Sequence, residues 1–123
     1  MTADYRVEIL APCDWINSNH RTHRMEVAKR TAAWRQAAFI AARNNLTKFD
    51  GRVRIVATVH KTRAGRWDAG NLYPTAKACV DGIVQAGVLV DDSNQYAIGP
   101  DMRAGEKRAT AALVIRIEAC HEV

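Results

Sequence analysis

The chain has 123 residues, 48% of them apolar and 25% charged, with 18 Lys and Arg against 13 Asp and Glu for a net charge of +5. These values suit one globular core, so the expectation is a single domain over 1–123 rather than a disordered chain or two small domains. No apolar run nears the ~18 residues of a membrane span, the start Met1-Thr2-Ala3-Asp4-Tyr5-Arg6 lacks the basic-then-apolar order of a secretion signal, and the scattered Cys13, Cys79 and Cys120 form no disulfide framework; a reducing cytoplasm is expected.

Residues 5–10 predict a first strand. Residues 11–24 are polar and irregular, with Pro12 and the cluster Asn17-Ser18-Asn19, and predict a loop. Residues 26–45 predict a long helix, with Val27, Trp34, Ala38 and Ala41 at helical spacing and Lys29, Arg30, Arg35 and Arg43 away from that stripe. Over 52–62 the chain alternates: Val53, Ile55, Ala57 and Val59 to one side, Arg52, Arg54, Thr58 and His60 to the other, as in a half-buried strand. His60 reads as a surface residue of that polar face, with a proton shuttle facing a site as the other reading. A loop with Arg63 and Arg66 leads to a second helix, with Asn71 as its N-cap, Pro74 in the first turn and Gly87 as its stop. Its inner positions are Leu72, Ala76, Cys79, Val80 and Ile83. Asp91-Asp92-Ser93-Asn94 predicts a turn, 95–98 the start of a strand, and 111–120 a last strand with Leu113, Ile115 and Ile117 inward. The expected class is α/β (α+β): a small mixed β-sheet with two helices packed on one face.

Charge is segregated along the chain. From Val27 to Trp67 there are ten cations and one acid, Asp50; from Asp68 to Asp92 there are four acids and one cation, Lys77. A basic surface draws polyanions such as nucleic acid. Carboxylates beside it repel phosphate unless a hard cation sits between them, and Mg²⁺ commonly takes one or two carboxylates, waters and a phosphate oxygen. Asp68, Lys77 and Asp92 are therefore candidates for metal-dependent phosphodiester chemistry, with Lys77 set against developing negative charge. The same residues also read as a cap, as a Lys77–Asp81 surface pair at i,i+4 and as turn formers. Arg63 and Arg66 are candidates for phosphate contacts. His20 and His23 lack further ligands nearby in sequence for a zinc site. Trp34 reads as a core anchor, and Trp15 and Trp67 as residues able to stack on an opened base.

The order Asp68, Asn71-Leu72, Lys77, Asp81, Gln85-Ala86-Gly87-Val88-Leu89-Val90-Asp91-Asp92, with Ser18-Asn19 in the loop after the first strand, resembles the RusA-type Holliday-junction resolvases over most of the chain. The resemblance implies a homodimer with a mixed sheet that makes paired symmetric nicks in four-way branched DNA with Mg²⁺, for which Mn²⁺ can substitute. It implies Asp68 and Asp92, with Asp91 assisting, as metal ligands, and Asp68, Lys77 and Asp92 as catalytic residues. Lys61, Arg63, Arg66, Arg24, Lys29, Arg30, Asn19 and Asn71 are then expected to hold DNA. The setting implied is a bacterial cytoplasm, with phage or prophage origin and no membrane partner. Gly70 stands where the family carries a second acid. The alternative expectation is therefore a branched-DNA-binding protein with a weakened metal site; a structural or interaction protein is a third.

Overall fold

Alternation of side chains fixes the sheet, as a computed structural model of the protein shows for residues 4–45, 47–91 and 95–120. Strand β1 (Asp4–Leu10) buries Tyr5, Val7 and Ile9 and exposes the residues between them. Helix α1 (Arg24–Ala42) follows, then β2 (Val53–His60), helix α2 (Tyr73–Gln85), β3 (Ala97–Ala104) and β4 (Ala112–Ala119). The strands lie in the order β1-β4-β2-β3. β4 is antiparallel to both its neighbours and β2 is parallel to β3. Register sets Val7 beside Ile115 and Ile115 beside Ala57, and likewise Ile9, Leu113 and Val59 in a row. Because side chains alternate with period two, this makes one continuous apolar face.

Both helices cover that face. Trp34, Ala38 and Ala42 of α1 and Ala76, Cys79, Val80 and Ile83 of α2 join the inward strand residues in one buried cluster. The coarse class is thus as expected: a mixed four-stranded sheet with two helices on one side. The α1 stripe passes through Ala42 rather than Ala41, which is exposed; Ala42 is the residue that continues the i,i+4 series from Trp34 and Ala38. The helix begins at Arg24, where His23 caps it by accepting a hydrogen bond from the Met25 amide.

The two helices meet at Gly82, where a Cβ would overlap the Arg35 carbonyl oxygen. Nearby, the Cys79 thiol donates toward the Trp34 carbonyl at 3.8 Å. Burial pushes the Cys79 thiol pKa well up, so it stays a protonated core group.

β3 begins within the expected start at 95–98 and runs on to Ala104. Ile98 pairs with Arg54 and Asp101 with Val56, so Gly99 and Pro100 together face Ile55. This bulge breaks the alternation that would have revealed the strand. Gly99 has φ +106° and a Cβ there would overlap the Ile55 carbonyl oxygen, so the position suits glycine alone.

The sheet face away from the helices is closed by charge pairs. Arg54 meets Asp101 at 2.8 Å, Arg116 meets Glu118, and Arg108 reaches Glu8. His60 is buried rather than exposed (6%), because the segment after β3 folds over it and its Nδ1 lies 2.9 Å from the Glu106 carbonyl oxygen. Among the described residues, no helix is long and apolar enough to cross a membrane.

Gly82 yields a direct test of this packing. Gly82→Ala is expected to lower unfolding stability by about 2–3 kcal/mol through overpacking, whereas Gly51→Ala, with nothing within 4 Å of a Cβ, should change it by no more than about 0.5 kcal/mol. Urea midpoints measure both.

Candidate nucleic-acid interface

β1, β2 and β3 run in one direction, because β4 is antiparallel to β1 and β2 while β3 is parallel to β2. The loops leaving β1 and β2 therefore emerge at the same edge of the sheet, and α1 and α2 both start there. This carboxyl edge is where open α/β sheets commonly place ligands. Three contacts join its loops. The Ser18 amide donates to the Asn71 carbonyl at 2.8 Å. The Thr75 hydroxyl accepts from the Ile16 amide at 2.8 Å and donates to the Ile16 carbonyl at 2.9 Å. Thr75 is fully buried, and this pairing satisfies both backbone groups of a residue far away in sequence.

Asp68 stands at this edge as an exposed residue. It caps a single 3-10 turn, Ala69–Leu72, that runs into α2, and its Oδ1 accepts from the Gly70 amide at 2.9 Å. Asp68, not Asn71, is the side-chain cap of this region; α2 itself starts at Leu72 with no side-chain cap. The Asp68 Oδ2 has no hydrogen bond among the described residues. Gly70 lies against this carboxylate, since a Cβ on it would sit 3.2 Å from Oδ1.

The expected cations divide into two sets. Lys61, Arg63 and Arg66 line a cleft of about 330 Å³ with Asp14, Trp15 and Trp67. The Lys61 ammonium lies 4.5 Å from the centre of the Trp67 ring, a cation–π contact. Arg63 and Arg66 are exposed, as are Arg24, Lys29 and Asn19. Asn71 is half-buried and offers its backbone carbonyl to Ser18. Arg30 differs from the others. Its Nε bonds Glu26 at 2.9 Å and its Nη1 donates to the Trp15 carbonyl at 3.0 Å, so it braces the loop after β1 against α1. Trp15 stacks on the buried Trp34 with ring centres 5.0 Å apart, and the Trp34 indole donates to the Asp14 carbonyl at 3.0 Å.

Of the carboxylates expected to share a metal, Asp68 and Asp91 are not brought together. The 13 residues of α2 span ~20 Å. Asp68 precedes the start of that helix. Asp91 follows its far end, just beyond Val88 and Leu89, which lie against Phe49 ahead of β2. Tyr96 then bonds Val53 at the first residue of β2. Asp91 thus belongs to the amino edge of β2 and Asp68 to the carboxyl edge. Asp92 lies outside the described residues. Among the described residues, no three His, Cys, Asp or Glu side chains group as a metal site. Lys77, in the second turn of α2, bonds Asp81 at 2.9 Å.

No protein-family model matches the chain, and no curated protein matches it.

Sequence reasoning passed over Asp14 and Thr75. Asp14 is the lone acid of an irregular loop, with no periodicity to mark it. Thr75 had a signal, a hydroxyl among the inward-facing residues of a predicted helix, because a buried hydroxyl needs a partner. Thr75→Val removes that partner and strands the Ile16 amide and carbonyl. It is expected to cost about 2–4 kcal/mol in unfolding stability and to speed hydrogen exchange at the Ile16 amide well beyond the rate set by global unfolding. A Thr75→Val protein with wild-type exchange at Ile16 would contradict the staple.

Proposed function

We propose that this protein is a metal-dependent, structure-specific endonuclease that resolves four-way DNA junctions by paired nicks, acting as a RusA-like homodimer in a bacterial cytoplasm, in a phage or prophage setting. The observation that carries the reading is Asp68: an exposed carboxylate with one open oxygen on the same sheet edge as Lys61, Arg63 and Arg66. An acid in that position repels the phosphates its neighbours attract unless a hard cation lies between them.

Mg²⁺, or Mn²⁺ in its place, fits an aspartate of this kind, because it takes few carboxylates and keeps its waters. Bound there, it supplies a more acidic water and neutralises charge on phosphorus. Asp68 and the Asp91-Asp92 pair are the residues to hold it. Since Asp68 and Asp91 occupy opposite edges of one protomer, the reading has the two halves of each site come from two protomers of a twofold dimer. The chain's own cations do the rest. Arg63, Arg66, Arg24 and Lys29 hold phosphates and steer the junction by shape. Lys77 offers positive charge to the transition state in exchange for its bond to Asp81.

A second reading follows from Gly70. Its missing side chain leaves Asp68 without an acidic neighbour on the same turn, which favours a protein that binds branched DNA and does not cut it.

A synthetic four-way junction with and without Mg²⁺ separates the two. The nuclease reading expects paired nicks only with metal, none for Asp68→Asn, and for Lys77→Ala a loss of about ten-fold or more in cleavage with binding changed by no more than about three-fold. Tight binding without nicks in Mg²⁺ or Mn²⁺ assigns the second reading. Cleavage that survives Asp68→Asn overturns the nuclease site.

A further inference from the structure

The cleft at the carboxyl edge has more than cations. Two of its walls are indoles, Trp15 and Trp67, and its polar lining holds one carboxylate, Asp14, among Lys61, Arg63 and Arg66. Trp15 is fixed by stacking on Trp34, and Trp67 already accepts a cation on its ring face. The Asp14 side chain is 74% exposed; its Oδ1 accepts from the Trp15 amide at 2.8 Å and its Oδ2 lies 3.9 Å from Arg30. Oδ2 therefore keeps acceptor capacity, on a residue that lines the cleft. A pure phosphate site has no use for that carboxylate, which repels phosphate. A site for a nucleobase uses all three kinds of group: a flat aromatic wall, cations for the attached phosphate and an acceptor for the base edge.

We propose that this cleft takes one unstacked nucleobase from a DNA strand whose amine stands where thymine carries O4 and guanine O6, that is cytosine (N4) or adenine (N6), with Asp14 accepting from that amine. This rests on the DNA-binding reading above and adds a base preference to it. The base stacks on Trp67, displacing the Lys61 ammonium toward the strand's phosphate, and Arg63 and Arg66 bind the flanking phosphates. Thymine presents a carbonyl oxygen where cytosine presents its amine, so it meets Asp14 with repulsion.

Binding of fluorescent single strands in EDTA tests this without any cleavage. The full chain is expected to bind dC6 and dA6 about ten-fold tighter than dT6. Asp14→Asn, whose amide both donates and accepts, should bring the three within about two-fold of one another by strengthening dT6. Trp67→Ala should weaken dC6 by about ten-fold. Free dCMP, the same base and phosphate without a strand, is expected to bind far more weakly than dC6. Equal affinity for the three strands in the wild type, a preference untouched by Asp14→Asn, or dCMP binding as tightly as dC6 each overturns the proposal. None of these outcomes depends on nicking of a junction, so the nuclease reading stands or falls separately.

Discussion

The buried hydroxyl of Thr75 joins the two halves of the carboxyl edge. It holds Ile16 by both its amide and its carbonyl. That fixes the loop carrying Asp14, Trp15 and Asn19 to the first turn of α2, next to Asp68 and Asn71. Ser18 and Asn71 add a second tie on the same seam. A loop of this length with free ends would sample many conformations, and ordering it costs conformational entropy. Here two buried hydrogen bonds and the Trp15–Trp34 stack offset that cost, leaving a shaped cleft where an open loop would otherwise lie.

Topology then decides which charges share a surface. β4 enters antiparallel between β1 and β2, so three strands of like direction deliver their following loops to one edge. The basic residues after β2 and the acid at the head of α2 lie on one stretch of chain at this edge, although they fall in blocks of opposite charge. The same topology carries the chain away along α2 before Asp91. The chain thus presents a carboxylate beside cations at one edge and Asp91 at the other. The proposed nuclease joins these two edges through a twofold dimer, a symmetry that suits paired cuts in a four-way junction.

Much of this was legible in the residues. The period-two pattern of β2 and β4 gave their inward faces correctly, down to Leu113, Ile115 and Ile117, because one face is buried and register is then tightly set. The inner residues of α2 and the role of Trp34 were legible for the same reason. Of β3 only the start was legible, since the Gly99-Pro100 bulge interrupts its alternation. His60 fooled the pattern: it points to the polar side of β2, yet the chain after β3 folds back over it, a tertiary event invisible to local spacing. The cap was misassigned because Asp68 and Asn71 are both good caps three residues apart, and the intervening 3-10 turn lets the earlier one serve. The site was legible as a set of residue types and illegible as a geometry. Spacing in sequence says that Asp68 and Asp91 flank a helix; only the path of the chain past Phe49 shows that the helix holds them apart.

In the proposed nuclease, the acid at the carboxyl edge of one protomer works with the acidic pair of the other. Co-assembling Asp68→Asn and Asp92→Asn chains and measuring Mg²⁺-dependent nicking of a four-way junction probes that sharing. Neither variant alone should cut. A mixed dimer keeps one site with both acids intact, so the mixture should recover about a quarter of the wild-type nicks, as cuts in one strand only. A mixture as inactive as its parents, beside an active wild type, would contradict the shared site.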